Sequence, residues 1–264
     1  MTKTLKLHYR ILGNENESEN LNKKPLFILH GLFGSSDNWQ TLAKKFAEDY
    51  VVYLVDQRNH GHSPHADAFN YDLMADDFYA LITDLGLSKI NVIGHSMGGK
   101  TIINFAKNHP DLIDKMIVVD ISHKQYPMHH EQILAGLNAI DLSSVRTRGS
   151  ADKVLSGYVS ELGVRQFLLK NLYWIEKGQL AWRINIPVLS RAIHETIGPI
   201  EFDTISVNTL FIRGGRSNYI IESDYAEIAS KFTHSEIYSI AESGHWIHAE
   251  APVEFYAAVI AFLQ

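Results

Sequence analysis

The chain has 264 residues, 45% of them hydrophobic and 20% charged, with a formal net charge of −6 and no cysteine. That size suits one folded unit carrying an inserted subdomain, and a negative balance without lysine- or arginine-rich runs argues against nucleic acid and anionic membrane surfaces as partners. Without thiols, disulfides, thiolate zinc sites and a cysteine nucleophile are excluded.

The opening MTKTLKLHYRIL runs straight into alternating apolar and polar residues and lacks the apolar core of a secretion signal. No later stretch approaches transmembrane length, so a cytoplasmic protein is expected. Leu5 to Leu12 alternates with period two, as an edge strand does, and the polar stretch Gly13 to Lys24 reads as a hairpin loop. PLFILH, ending at His30, is a short continuous apolar run, as expected of a strand covered on both faces. The next helix shows a polar cap near Ser35–Asp37 and an apolar stripe through Trp39, Leu42, Ala43 and Phe46. VVYLVD, ending at Asp56, is another buried strand, and Tyr71, Met74, Phe78, Leu81, Ile82 and Leu85 recur at helical spacing. INVIGH predicts a strand, Gly98 to His109 a helix stopped by Pro110, and MIVVD, ending at Asp120, a strand.

This alternation resumes with NTLFIRG at Asn208 to Gly214, a helix near Tyr225 to Phe232, EIYSI at Glu236 to Ile240, and a last helix from Pro252 to Leu263. The pattern predicts an α/β fold, a mostly parallel twisted sheet with helices on both faces. Between Ser122 and Ser206 it breaks. ADKVLSGYVSEL and RQFLLKNLYWI are helical patterns there, with no clear buried strand. The expected division is a core of residues 1–122 and 207–264 and a helical cap of residues 123–206.

GHSMG, Gly94 to Gly98, fits G-x-S-x-G and lies between a buried strand and a helix, where a nucleophile elbow belongs. Such a turn holds the serine at strained backbone angles, and glycines two before and two after remove side-chain clashes. Gly99 would let the helix pack close to the sheet, and the helix N-terminus adds a partial positive field. Ser96 is therefore the expected nucleophile.

A serine hydroxyl needs a base. SGHWIHAEAP, after the last strand, offers His245 and, three residues on, His248; His245 is favoured, and His248 is expected to support it or lie at the surface. His95 is expected to point away and serve structure. The acid that orients the imidazole is missing from its usual loop, IRGGRSNYI, where Ser217 stands instead. Asp120, at the end of the strand after the nucleophile helix, is the better candidate, with Ser217 in the same network. Glu222 and Asp224 look like first-turn helix residues. HGLFGS can present the Leu32 amide to the substrate carbonyl oxygen, with the Met97 amide as second donor. Phe33 is expected to line the acyl pocket. DQRNHGHSPH holds three histidines, but His60-Gly-His62 has no obvious third ligand. No metal and no cofactor are expected, and Arg58 and Ser63 are expected to tie this loop to its neighbours.

HGLFGSSDNW, DQRNHGHSPH, GHSMGG, VVDISHKQY, RQFLLKNL, WRIN, RGGRSNY and GHWIHAEAP together resemble the α/β-hydrolase superfamily almost end to end, and specifically the YbfF-type esterases, a branch that includes mitochondrial abhydrolase-domain proteins. In that branch the acid follows the strand after the nucleophile helix, which supports Asp120. His123 departs from the proline often found there and alters the mouth of the site. The resemblance implies hydrolysis of carboxylic esters.

Phe167, Leu168, Leu169, Leu172, Tyr173, Trp174 and Trp182 populate the cap. Most pack it, and Phe167, Leu168 and Trp174, with Trp246, are expected to wall a pocket. From residue 124 to 206 there are nine lysines and arginines against eight acids, a balance of +1 that leaves −7 on the rest of the chain. The expected protein, a monomer or homodimer, is a serine hydrolase of short- to medium-chain acyl esters, extending to acyl-CoA thioesters. Its base must be neutral, so activity should fall as pH drops through about 6–7. The competing readings are a carbon–carbon bond hydrolase and a small-molecule receptor that does not turn over.

Overall fold

The computed structural model describes residues 4–13, 23–128 and 130–264. Strands β1 (Tyr9–Leu12), β2 (Pro25–Leu29), β3 (Val51–Val55), β4 (Ile90–His95) and β5 (Ile113–Val119) come from the first half of the chain. β8 (Asn208–Gly214) and β9 (Ser235–Ile240) come from the end. They form one sheet of order β1-β3-β2-β4-β5-β8-β9, with β1 antiparallel to β3 and the other neighbours parallel.

Both faces are covered, which explains the unbroken apolar strands. Phe27, Leu29, Val92, Met116, Val118 and Phe211 point to one face, where α2 (Tyr71–Asp84) and α3 (Met97–Asn108) pack. Leu26, Ile28, Ile93, Ile117, Val119 and Ile212 point to the other. There the helices are α1 (Gln40–Phe46), preceded by a 3-10 turn at Ser36–Trp39, and α11 (Pro252–Leu263). The two sets interleave residue by residue along each strand, the period-two geometry of a pleated chain.

Two expectations about connectivity change. The residues on either side of the expected hairpin loop do not pair with each other: β1 lies against β3, with Tyr9 opposite Val55. β2 has β3 and β4 on its two sides, so its apolar run is sheltered at both edges. The stretch itself, residues 14–22, lies outside the described residues.

The second change is in the segment between β5 and β8. It holds α4 (Glu131–Ala139), α5 (Arg148–Leu155), α6 (Leu162–Leu169), α7 (Ile186–Arg191) and α8 (Ile193–Ile197), as the helical pattern implies. RQFLLKNLYWI, however, is not one helix. α6 ends at Leu169, and Leu172–Glu176 forms β6, paired antiparallel with β7 (Gln179–Trp182). Asn171 stops the helix, its side-chain amide donating to the Leu168 and Phe33 carbonyls. Gly178, at φ +85°, turns the chain back. α9 (Tyr225–Lys231) lies between β8 and β9, and α10 (Ile247–Glu250) follows β9.

Candidate active site

Four non-glycine residues among those described have positive φ: Phe33, Asn59, Ser96 and Asp120. All lie beyond the C-terminal ends of parallel strands, the edge where open α/β sheets bind ligands. Strain of this kind persists only where the surrounding structure enforces it.

Ser96 bridges β4 and α3 at φ 52°, ψ −117°. The glycines around it are required by packing. A Cβ on Gly94 would stand 2.4 Å from the Gly98 carbonyl oxygen, and one on Gly98 would stand 2.4 Å from that of Leu29. The serine backbone is pinned as well, its N–H donating to the Val119 carbonyl at 3.0 Å.

Asp120 follows β5, next to β4 in the sheet, and is fully buried. Its Oδ1 accepts from the Gly214 N–H at 3.0 Å. Its Oδ2 accepts from the Ser217 hydroxyl and pairs with His245 Nδ1 at 2.8 Å. With Nδ1 turned to the carboxylate, the Nε2 edge of the His245 ring faces away from Asp120. Ser96 and His245 line one cavity of about 230 Å³. Ser217 therefore supports from the loop after β8 a carboxylate that stands just past the end of β5. Asp224 serves structure: its carboxylate takes the Lys124 ammonium at 2.5 Å and the Ile221 N–H at 2.9 Å.

The glycine-rich loop after β2 is held by two histidines whose tautomers follow from their partners. His30 Nε2 accepts from the Gln57 N–H at 3.0 Å, so Nδ1 donates to the Gly31 carbonyl at 2.8 Å. His60 Nε2 accepts from the Phe33 N–H at 3.2 Å, and Nδ1 donates to the Arg58 carbonyl. Both nitrogens of His60 are thus engaged, and burial pushes its pKa down to about 3. Arg58 makes a buried bidentate pair with Asp77, and Ser63 Oγ accepts the His8 N–H at 2.8 Å, so both tie the loop to its neighbours as expected. No group of three or more potential metal ligands occurs among the described residues.

Leu32 and Met97, the expected amide donors, meet Ser96 at the wall of a second, small cavity. Phe33, Phe167, Leu168 and Trp246 line the larger cavity, joined by Ile133 and Val164. Trp174 does not. It lies on β6 with 46% of its surface exposed, because the chain has left the helix that carries Phe167 and Leu168. His123 is buried near the start of this insertion, paired with Glu227 at 3.2 Å.

Residues 24–145 match the family model described as alpha/beta hydrolase fold. The chain is 40% identical over 249 residues to the sn-1-specific diacylglycerol lipase ABHD11 of Danio rerio, covering 91% of this chain and 78% of that protein. It is 35% identical to the esterase YbfF of Escherichia coli, covering 98% of this chain and all of that one. A solved structure titled as a marine microorganism esterase superposes with a TM-score of 0.93 at 38% identity, covering 98% of this chain and 100% of that one. The chain belongs to the α/β-hydrolase family, in its YbfF-type branch.

Two residues of this hydrolase stand closer to the site than sequence reasoning places them. His95 does not point away: its Nε2 donates to the His245 carbonyl at 2.9 Å, and its ring lies 4.8 Å from that of His245. It is held neutral, burial driving its pKa well below the ordinary value. Tyr219 stacks on the His245 ring at 4.0 Å and 16°. Its signal in the sequence is its place two residues after Ser217, whose Oγ accepts the Tyr219 N–H at 3.2 Å. His248 is buried and stacked on Trp39 at 4.1 Å, with its pKa lowered to about 3 by burial. Its ring lies 4.8 Å from that of His95, and it shares the wall of the larger cavity with His245.

Proposed function

We propose that the protein is a serine-dependent ester hydrolase that works through an acyl-enzyme. The observation that carries this reading is the hydrogen-bonded chain Ser217–Asp120–His245, which ends in the cavity where Ser96 stands on its strained turn. His245 Nε2 takes the Ser96 proton as Oγ attacks the ester carbonyl. The Leu32 and Met97 amides hold the oxyanion, each contributing about 3–4 kcal/mol. Protonated His245 then gives its proton to the departing oxygen or sulfur, and water activated by the same nitrogen releases the acid. Asp120 stabilises the imidazolium and selects its tautomer, and Ser217 holds Asp120 in place.

Relatives named as an esterase and as a diacylglycerol lipase support an ester substrate. The apolar lining favours short- to medium-chain acyl esters, and the same attack serves acyl-CoA thioesters. In this reading residues 1–122 and 207–264 form the catalytic core, and residues 123–206 form a cap that supplies Ile133, Val164, Phe167 and Leu168 to the cavity.

The test is a panel of p-nitrophenyl esters and acyl-CoAs run on the wild type beside Ser96→Ala. The variant should lose at least about 10⁴-fold in kcat while remaining folded. Retention of activity within tenfold would defeat the proposal.

A further inference from the structure

The turn that carries Leu32 is strained and held from outside. The Gly34 N–H donates to the Gly31 carbonyl at 3.0 Å, closing a four-residue turn whose third residue, Phe33, has φ 60°. That place in such a turn ordinarily goes to glycine or asparagine, because a Cβ makes the left-handed region costly. Local preference does not hold Phe33 there, so its neighbours must.

Both backbone polar groups of Phe33 are gripped. Its N–H donates to His60 Nε2 at 3.2 Å, and its carbonyl accepts from Asn171 Nδ2 at 2.7 Å. The same Asn171 nitrogen donates to the Leu168 carbonyl at 3.1 Å. Both amide hydrogens are thus used, and two acceptors fix which way the buried side chain faces. The Leu32 N–H, by contrast, has no acceptor among the described residues. A free amide beside two bonded ones, at a cavity wall shared with Ser96 and Met97, meets the requirement for an oxyanion donor.

The inserted segment supplies this grip from two sides. Asn171 follows α6, whose Val164, Phe167 and Leu168 line the larger cavity. His60 is reached through its neighbour Asn59, at φ 64°. The Asn59 carbonyl accepts the Asn185 N–H at 3.0 Å, and its side-chain oxygen accepts Asn185 Nδ2 at 3.1 Å.

We propose that Asn171 is a positioning residue of the reaction: its hydrogen bond to the Phe33 carbonyl holds the strained turn in the form that aims the Leu32 amide at the substrate oxygen. This rests on the Ser96 reading and makes the oxyanion hole depend on the insertion. Asn171 itself touches no reacting atom.

Asn171→Ser isolates that bond. A serine hydroxyl is too short to reach Phe33, yet it can still donate to the carbonyl three residues back, as Ser156 does to Lys153 at 2.9 Å. The assay compares p-nitrophenyl acetate with O-p-nitrophenyl thionoacetate, in which sulfur, a weak hydrogen-bond acceptor, replaces the carbonyl oxygen. In the folded variant kcat/KM for the oxo ester should fall by about 10²-fold, and the oxo-to-thiono ratio should shrink by at least about tenfold. Damage that is merely structural slows both substrates alike. A ratio unchanged from wild type, or an oxo-ester kcat/KM within about threefold of it, overturns this proposal alone provided Ser96→Ala is inactive. Activity that survives Ser96→Ala overturns the reading beneath it. Should Asn171→Ser fail to fold, Asn171→Asp, which keeps the shape and lacks the amide hydrogens, carries the same comparison with the same outcomes.

Discussion

Asp120→Asn tests the proton arrangement with almost no change of shape. The native carboxylate receives three donors: the Gly214 N–H on Oδ1, and Ser217 Oγ and His245 Nδ1 on Oδ2. Asparagine keeps one oxygen, and the backbone donor from Gly214 holds it at the Oδ1 position. The new NH₂ then occupies the Oδ2 position, facing Ser217 and the imidazole. To avoid donor against donor, His245 must take the tautomer with Nδ1 unprotonated and its hydrogen on Nε2, which cannot accept the Ser96 proton. A wrong tautomer of this kind costs on the order of 10⁴-fold in kcat, or about 5 kcal/mol of transition-state stabilisation. The assay is kcat for p-nitrophenyl acetate, with thermal unfolding as a check on folding. A folded variant within tenfold of wild type would refute the reasoning, most clearly if substitution of Glu222 or Asp224 abolished turnover instead.

Ser217→Ala removes one hydrogen bond to a buried charge, worth about 1.5–3 kcal/mol, so kcat should fall roughly 10- to 100-fold while KM for the same ester stays within about twofold. Gly98→Ala drives a methyl to 2.4 Å from the Leu29 carbonyl oxygen and 2.7 Å from that of His30, displacing the loop that carries the Leu32 amide. Its kcat should drop by about 10²–10³-fold, the effect of losing one oxyanion donor, and its Tm should fall as well. Acid should destabilise the fold through its buried histidines. His60 and His248 are held to pKa values of about 3, while the unfolded chain protonates histidine near 6.5, so the unfolded state binds more protons across that window. Each costs about 1.4 kcal/mol per pH unit as pH falls, and together they should lower Tm by roughly 5–10 °C between pH 6 and pH 5. A Tm unchanged over that interval in a calorimetric scan would contradict the assignment.

Much of this arrangement is legible in the sequence because its parts are local. The elbow announces itself by glycines on both sides of Ser96, and continuous apolar runs announce strands buried on both faces. Asp120 can be read because β4 and β5 are neighbours in a parallel sheet, so the residue after β5 stands beside the residue after β4. What stays hidden depends on contacts distant in sequence. Nothing within LKLHYRIL says that it pairs with Val51–Val55 rather than with the next strand. The end of α6 is set by Asn171 reaching Phe33, 138 residues away, and that break carries Trp174 out of the cavity. Adjacency to Ser96 suggests that His95 faces elsewhere, yet its ring reaches the His245 backbone across 150 residues. Stacking of Tyr219 on His245 likewise follows only from the loop after β8 closing over Asp120.

Rapid-quench mass spectrometry during turnover of an acetyl ester addresses the chemistry most directly. An added acetyl mass mapped to Ser96, formed in a burst and absent from Ser96→Ala and His245→Ala, is the predicted result. Steady turnover with no acyl adduct on that residue, or an adduct elsewhere that matches the burst, would contradict it.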